Sequence, residues 1–399
     1  MKVLHLLYQS YPNISGSSTR SMSIVGAQKE VGITPVVLTS PFQKGLADGV
    51  DQEVVNGITY YRCYDNNEKY ELGSKKSTFV RIMKLLSILK YSFQILKVAR
   101  KENVEIIHSH AMFYNAVPGI VVSFLLGIPH VYEIRSEWSK NSHFKSASFI
   151  KYIANYLEIL SIKLSSAVVV ISKGLYEKYS KYNDITTYIG NAVDDEAIKN
   201  NIKTEPPQNF EYLKIAYIGS VIELEGLQYV LHALSMLEKD VYFMKIVGDG
   251  ESLVSLELLA EELGISANVS FTGKIPASEI NKIYDSVDII VNYRRDEPVS
   301  HSVTPLKPLE AMVHKKLIIS SNVGGMTELI DHMVTGVVVP SDDVQALSDT
   351  FLSISKCADR FKSIPIAGYE YVSRNKTWSS NALCYKRLYL NLLTARGKR

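Results

Sequence analysis

Short runs dense in Val, Ile and Leu recur along the chain and alternate with longer segments whose apolar residues fall at helical spacing. Continuous runs with little polar alternation are the pattern of parallel strands buried on both faces. The pattern predicts strands at 3–7, 34–38, 58–63, 104–108, 130–134 and 167–171. After a polar, proline-containing stretch at 200–209, it predicts further strands at 213–218, 242–247, 269–272, 287–291, 317–320 and 336–339. Helices are expected between most of these, for example at 226–237, 251–263 and 277–286. Such alternation defines an α/β chain, and the break near residue 200 divides it into two doubly wound domains. Ligands of these sheets bind beyond the carboxyl ends of the strands, so chemistry is expected in loops 8–19, 108–114, 219–225 and 248–251. The segment 378–393 has aromatic and leucine residues at helical spacing, and is expected to pack back across the first domain.

Composition agrees with this division. The 399 residues, 46% hydrophobic and 21% charged, suffice for two domains of ordinary size. A net charge of +3 argues neither for nor against a polyanionic partner. Cys63, Cys357 and Cys384 are odd in number, far apart and without zinc-ligand spacing, which fits reduced thiols in a cytosolic protein. The opening MKVLHLLYQ reads as a strand rather than a targeting segment, and the apolar run 116–127 is interrupted by Pro118 and falls short of the roughly 20 residues that cross a bilayer.

Residues 288–312, DIIVNYRRDEPVSHSVTPLKPLEAM, are the richest in chemistry. A buried strand leads into a loop with Arg294 and Arg295, after which a helix is expected with Thr304 as its cap, or with Pro308 as its first residue. Lys307 lies in or just before the first turn, so a phosphate would meet backbone donors, a lysine and arginines together. Glu310, slightly deeper, suits the paired hydroxyls of a ribose, though it also fits an ordinary solvated helix residue. Two glycine turns at strand ends, Gly248 with Gly250 and Gly273-Lys274-Ile275, permit close approach to a ligand or serve simply as turns. In the first domain, residues 11–19 (YPNISGSST) are rich in small hydroxyl residues around Gly16 and lack GxGxxG, which counts against a dinucleotide dehydrogenase. His110 is read as emerging from a strand end into the loop, where it is either structural or a hydrogen-bonding partner for a sugar or phosphate. Glu133, Arg135 and Glu137 beside Trp138 fit an acceptor site or a solvated, ion-paired strand end. Residues 75–101 hold eight basic residues and no acidic one. A helix of this kind can lie on an anionic membrane, but its cations do not share one face, which tips the reading slightly toward a core helix with solvated cations.

Taken together, VVVISKGL (168–175), YIGNAVD (188–194), IAYIGS (215–220), VGDGE (247–251), FTGKIP (271–276) and SNVGGMTELI (321–330) resemble, in order and spacing, the retaining glycosyltransferases of the GT-B fold, specifically glycosyltransferase family 4. The resemblance spans nearly the whole chain. It implies two Rossmann-like domains facing a central cleft: an acceptor-binding domain at 1–190, a nucleotide-sugar-binding domain at 191–376, and a C-terminal helix at 377–399 returning to the first. It further implies a hexosyltransferase that moves a sugar from a nucleotide-diphosphate donor to a saccharide or lipid-linked hydroxyl with retention. Cell-surface polysaccharide synthesis at the inner face of the membrane is the implied setting, with no metal, cofactor or nucleic acid.

Two departures qualify the carry-over. The turn GSVIELEG (219–226) lacks the Arg and Lys of the family's GRxxxxKG, having Ser220 and Glu225 there. Of the family's two glutamates, the second matches Glu310 and the first falls at Ser302. A variant branch with TPLKPLEAM (304–312) looks similar in both respects, and there Arg294 and Lys307 would supply the missing charge. On that reading Arg294, Lys307 and a donor-orienting His110 are catalytic, and Glu133 and Arg135 meet the acceptor. The donor is held by Gly16, Gly219, Ser220, Gly248, Gly250, Lys274, Ile275, His301, Ser302, Val303, Thr304, Leu306 and Glu310. A sugar-nucleotide epimerase of the same architecture, or a sugar-nucleotide-binding partner without catalysis, remain alternatives.

Overall fold

A computed structural model describes residues 1–13, 15–43, 50–63, 78–137 and 148–396, with helix but no side chains for 78–86 and 148–151. Trp138, Lys75, Lys76, and the side chains of Phe79, Arg81, Ile82, Lys84 and Leu86 lie outside the described residues. The chain forms two compact units, Met1–Gly190 with Trp378–Arg399, and Asn191–Thr377.

The first unit is built on β1 (Lys2–Leu7), β2 (Thr34–Thr39), β3 (Gln52–Val55), β4 (Ile58–Arg62), β5 (Ile106–His110), β6 (His130–Ile134), β7 (Ala167–Val170) and β8 (Thr186–Tyr188). They form one sheet in the order β3-β4-β2-β1-β5-β6-β7-β8, parallel except for β3, which pairs antiparallel with β4. Both faces are covered. Leu4 and Leu6 pack with Tyr91, Ile95 and Val98 of helix Thr78–Lys101, whereas Leu7 packs with Val25 of helix Gly16–Glu30 on the opposite face. This two-sided burial explains why β1 reads as a nearly continuous apolar run. His5 therefore shares the face of helix Gly16–Glu30, because neighbouring strand residues point to opposite sides. The last helix, Trp378–Arg396, lies on that same face: Lys386 Nζ donates to the Val31 carbonyl and Gln28 Nε2 to the Tyr389 hydroxyl.

The second unit is built on β9 (Leu213–Ile218), β10 (Tyr242–Val247), β11 (Val269–Gly273), β12 (Ile289–Asn292), β13 (Leu317–Ser321) and β14 (Val337–Val339). All are parallel, in the order β11-β10-β9-β12-β13-β14. With β9 as first strand this is the doubly wound Rossmann order, which turns back between β9 and β12. Ile215 and Tyr217 enter the core against helix Leu227–Ser235, and Ala216 enters the core of helix Lys307–Val313 on the other side. The α/β, doubly wound reading of the sequence thus holds in both units.

The strands of the first unit differ most from expectation in three places. β3 and β8 were not anticipated: β3 is a four-residue edge strand alternating between exposed and half-buried positions, and β8 has three half-buried residues, so neither carries an apolar run. β5 lies two residues later than the expected 104–108, which moves His108 from the strand end to its interior and draws His110 into the strand.

Candidate functional site

In the second unit a charged cluster forms beyond the carboxyl ends of β9 and β12. Leaving β9, the chain turns through Gly219 at φ +150°. A Cβ there would lie 2.3 Å from Lys307 Cε, so the glycine leaves room for the lysine stem as well as supplying the turn. Gly248, at φ +139° after β10, packs so closely that an added Cβ would meet the Gly219 carbonyl oxygen at 1.8 Å. Lys307 Nζ donates to the Tyr217 hydroxyl at 2.6 Å and lies 2.9 Å from Glu225 Oε2. The Tyr217 hydroxyl in turn donates to the Ser220 carbonyl at 2.6 Å. Arg294 reaches the other oxygen of the same carboxylate at 3.3 Å and donates to the Val303 carbonyl at 3.3 Å.

Two cations therefore converge on one buried carboxylate. Burial acts to raise the Glu225 carboxyl, but Lys307 and then Arg294 outweigh it and hold it below the usual range. The partners are not symmetric. Burial lowers Lys307 from its ordinary value, with Glu225 opposing and Arg294 adding to the fall. The arrangement favours the ionised carboxylate and leaves an ammonium that gains from any further anion brought beside it.

The expected donor residues fall into distinct positions. Gly219, Arg294, Val303 and Lys307 are joined by the contacts above, with Ser220 exposed beside them and Gly248 packed beneath. Gly250 N donates to Asp249 Oδ1 at 2.7 Å in the adjoining turn. Helix Lys307–Val313 begins at Lys307, with Pro308 in its first turn and without a side-chain cap, which corrects the expectation of a Thr304 cap. Thr304 is buried instead, and its carbonyl accepts from Asn191 Nδ2 at 2.7 Å. His301 and Ser302 lie on a short separate helix, Pro298–Ser302, opened by its proline. His301 Nε2 meets Asp296 at 2.6 Å and its Nδ1 accepts from Gly324 N at 3.1 Å, while the Ser302 hydroxyl turns back to the Pro298 carbonyl. Leu306 is half-buried and Glu310 exposed in the helix's first turn. Lys274 and Ile275 follow the edge strand β11, which β10 separates from β9, and so stand apart from the cluster. Gly16, in the first unit, opens helix Gly16–Glu30 under a Ser15–Ser18 capping box, and an added Cβ there would meet nothing within 4 Å.

In the first unit Glu133, Arg135 and His110, expected to meet acceptor and donor, belong to a buried polar network. Glu133 is wholly buried and its Oε1 accepts from Arg135 Nε at 2.7 Å and Arg20 Nε at 3.1 Å, while its Oε2 accepts from the Tyr385 hydroxyl. Burial acts to raise its carboxyl, but the charges of Arg20 and Arg135 hold it well below the usual range. Both ring nitrogens of His110 are committed inside the unit, because the strand shift turned an expected loop histidine inward.

Donor chemistry orders the protons of this network. Arg135 can only donate, so His110 Nδ1 accepts at 2.7 Å and its Nε2–H donates to His5 Nδ1 at 2.8 Å. His5 Nε2–H then donates to Gln28 Oε1 at 3.0 Å, Gln28 Nε2 to the Tyr389 hydroxyl at 3.1 Å, and that hydroxyl to His108 Nδ1 at 2.6 Å. Neutral imidazoles result, in keeping with burial, which lowers His110 to about 4 and takes His5 and His108 well below their ordinary value. The three rings could reach a common metal ion. The lone pairs that such an ion needs on His110 Nδ1 and His5 Nδ1 are, however, occupied by hydrogen bonds.

Sequence reasoning missed Glu225, Tyr217, His5, Arg20, Gln28, Tyr385 and Tyr389. For Glu225 a signal existed: one reversed charge in the turn accompanies two additional cations downstream.

The two-unit Rossmann-like architecture is that of the GT-B glycosyltransferases. Sucrose-phosphate synthase from Thermosynechococcus elongatus matches with a TM-score of 0.77 at 16% identity, over 99% of each chain. HepE from Anabaena, solved in complex with UDP, matches with a TM-score of 0.71 at 15% identity, over 98% of this chain and 100% of the other. In sequence, residues 14–197 match the family model described as Glycosyltransferase Family 4, and residues 198–370 match Glycosyl transferases group 1. An uncharacterized glycosyltransferase of Methanocaldococcus jannaschii is 25% identical over 326 residues, 74% of this chain and 79% of the relative. These matches identify a glycosyltransferase with the GT-B fold.

Proposed function

We propose that the protein transfers a sugar from a nucleotide-diphosphate donor to a hydroxyl of a saccharide or lipid-linked acceptor, with retention of anomeric configuration. The observation that carries this reading is the convergence of Lys307 and Arg294 on Glu225 beyond β9 and β12, at the switch point where a doubly wound sheet receives its ligand. The UDP held by HepE supports a nucleotide-linked donor. Cleaving the anomeric C–O bond develops positive charge on the sugar and negative charge on the departing diphosphate. Lys307 and Arg294 stabilise that diphosphate, and Glu225, Tyr217 and the Val303 carbonyl hold the two cations in position beforehand. The acceptor hydroxyl attacks from the face that the diphosphate leaves. In this reading the leaving group is neutralised by side chains, with nucleotide sugar as substrate and no resident cofactor. The setting we favour is cell-surface polysaccharide assembly at the cytoplasmic side of a membrane.

Calorimetric titration of nucleoside diphosphates and nucleotide sugars tests the donor site. Removing a charged partner of a phosphate loses about 1.5–3 kcal/mol, so Lys307→Ala and Arg294→Ala are each expected to weaken binding roughly tenfold or more. Unchanged affinity in both variants, with native melting behaviour, would overturn the assignment. Product analysis with and without acceptor separates transfer from epimerisation, which needs donor alone.

A further inference from the structure

The face of the first unit opposite the histidine network carries an unexplained surface. Helices Thr78–Lys101, Phe113–Leu126 and Ser148–Leu164 pack side by side there, the middle one touching both neighbours. Each covers the sheet with its inner side and exposes large apolar residues on its outer side. On the first, Leu89 and Phe93 stand one turn apart, with Phe93 73% exposed. Phe124 and Leu125 are 66% and 67% exposed in the last turn of the second. The third exposes Tyr152 and Tyr156, again one turn apart. Isolated exposed apolar residues are ordinary, but three adjacent helices presenting them together mark an interaction surface.

Charge selects the occupant. Along the first helix the stripe of Leu89 and Phe93 continues at helical spacing into Lys97, Arg100 and Lys101, all exposed. Lys90 beside it and Lys163 on the third helix are exposed too. Among the described residues of the three helices the sole acidic side chain is Glu158, which is 4% exposed and accepts from the Tyr132 hydroxyl. The outer face therefore combines aromatic and aliphatic side chains with cations and no exposed carboxylate. A protein partner or second copy of this nearly neutral chain would present both signs of charge, whereas an anionic bilayer presents apolar depth beneath uniform negative charge. Tyrosines favour that boundary, and long basic side chains reach from an apolar contact to headgroup phosphates. No helix among the described residues is long and apolar enough to cross a membrane, so contact would lie along the surface.

We propose that this three-helix face docks the protein onto an anionic lipid bilayer, inserting Phe93, Phe124 and Tyr156 at headgroup depth and engaging lipid phosphates with Lys97, Arg100 and Lys101. The inference rests on the membrane setting of the function proposed above and names the surface that would serve it. Co-sedimentation of the intact chain with vesicles needs no sugar donor, so its failure is separable from failure of the nucleotide titration.

The probe is vesicles of mixed phosphatidylcholine and phosphatidylglycerol, against phosphatidylcholine alone, at low and high salt. The wild type is expected to sediment with the anionic vesicles and to be released by salt. Lys97→Gln with Arg100→Gln is expected to lower the partition coefficient about thirtyfold, and Phe93→Ser with Phe124→Ser by a comparable factor. Leu258→Ser, at a residue equally exposed on the second unit, is expected to leave it unchanged. The proposal is overturned if the wild type ignores anionic vesicles, binds both lipids alike, or binds undiminished in the patch variants. It is equally overturned if sedimentation velocity reveals a dimer that the same substitutions dissolve, since a second copy would then own the face.

Discussion

Replacing Glu133 by Gln tests whether the first unit is organised around a buried charge. The substitution keeps size and one acceptor oxygen but removes the anion between Arg20 and Arg135, which are 2% and 8% exposed. It also deprives the Tyr385 hydroxyl of its carboxylate acceptor. Removing one partner of a buried ion pair costs about 3–5 kcal/mol, because the other charge is left uncompensated in a poorly solvated place. For a unit of this size that corresponds to a fall in melting temperature of roughly 6–20 °C. Trp378 is buried in the first unit, so its fluorescence during urea unfolding reports on that unit. The pH dependence supplies a second readout. A carboxyl held well below 4.5 in the folded state contributes stability that is present above that value and is lost as pH falls toward the folded value. The gap between wild type and Glu133→Gln is therefore widest near neutrality and narrows in acid. A loss under about 1 kcal/mol at neutral pH, with unchanged cooperativity, would refute the reasoning. Native stability combined with lost acceptor turnover would restore Glu133 to the acceptor site.

Three further outcomes follow from the geometry. Glu158→Gln is expected to stabilise the protein at pH 8 and leave it unchanged below pH 4.5: burial raises this carboxyl to about 7, against the Tyr132 hydroxyl and Lys178, so the wild type loses stability as pH climbs between those values; denaturant titrations at the two pH values check it. Gly248→Ala is expected to abolish nucleotide binding and lower the melting temperature of the second unit, since the new Cβ would meet the Gly219 carbonyl oxygen at 1.8 Å in a left-handed backbone; calorimetry and thermal scans read both effects. Tyr389→Phe leaves Gln28 and His108 short of a buried partner at a cost of about 1–3 kcal/mol, and hydrogen exchange is expected to rise in helix Trp378–Arg396.

Most of the fold was legible because parallel strands buried on both faces announce themselves as apolar runs. β6, β9 and β10 lie at the expected residues, whereas β3 and β8, short and half-exposed, carry no such signal. The site was legible only in part. Arg294 and Lys307 were recognisable as displaced cations, yet a linear reading treats Glu225 as a missing cation rather than as the carboxylate that gathers both. The histidine network was hidden by distance along the chain: His5 is in register with His108, and Tyr389 lies 281 residues beyond it. A two-residue error in one strand end then sufficed to read His110 as a loop residue.

The first unit is discontinuous, and that imposes an order of events on a growing polypeptide. β1 through β8 leave the ribosome first, followed by the whole of Asn191–Thr377, and only then by helix Trp378–Arg396. Until those closing turns arrive, Glu133 lacks the Tyr385 hydroxyl and His108 lacks that of Tyr389. The earlier-synthesised part of the first unit is thus unable to complete its interior until residues 378–396 have followed the whole second unit, and a chain truncated before residue 378 would leave those buried groups open however intact the second unit was.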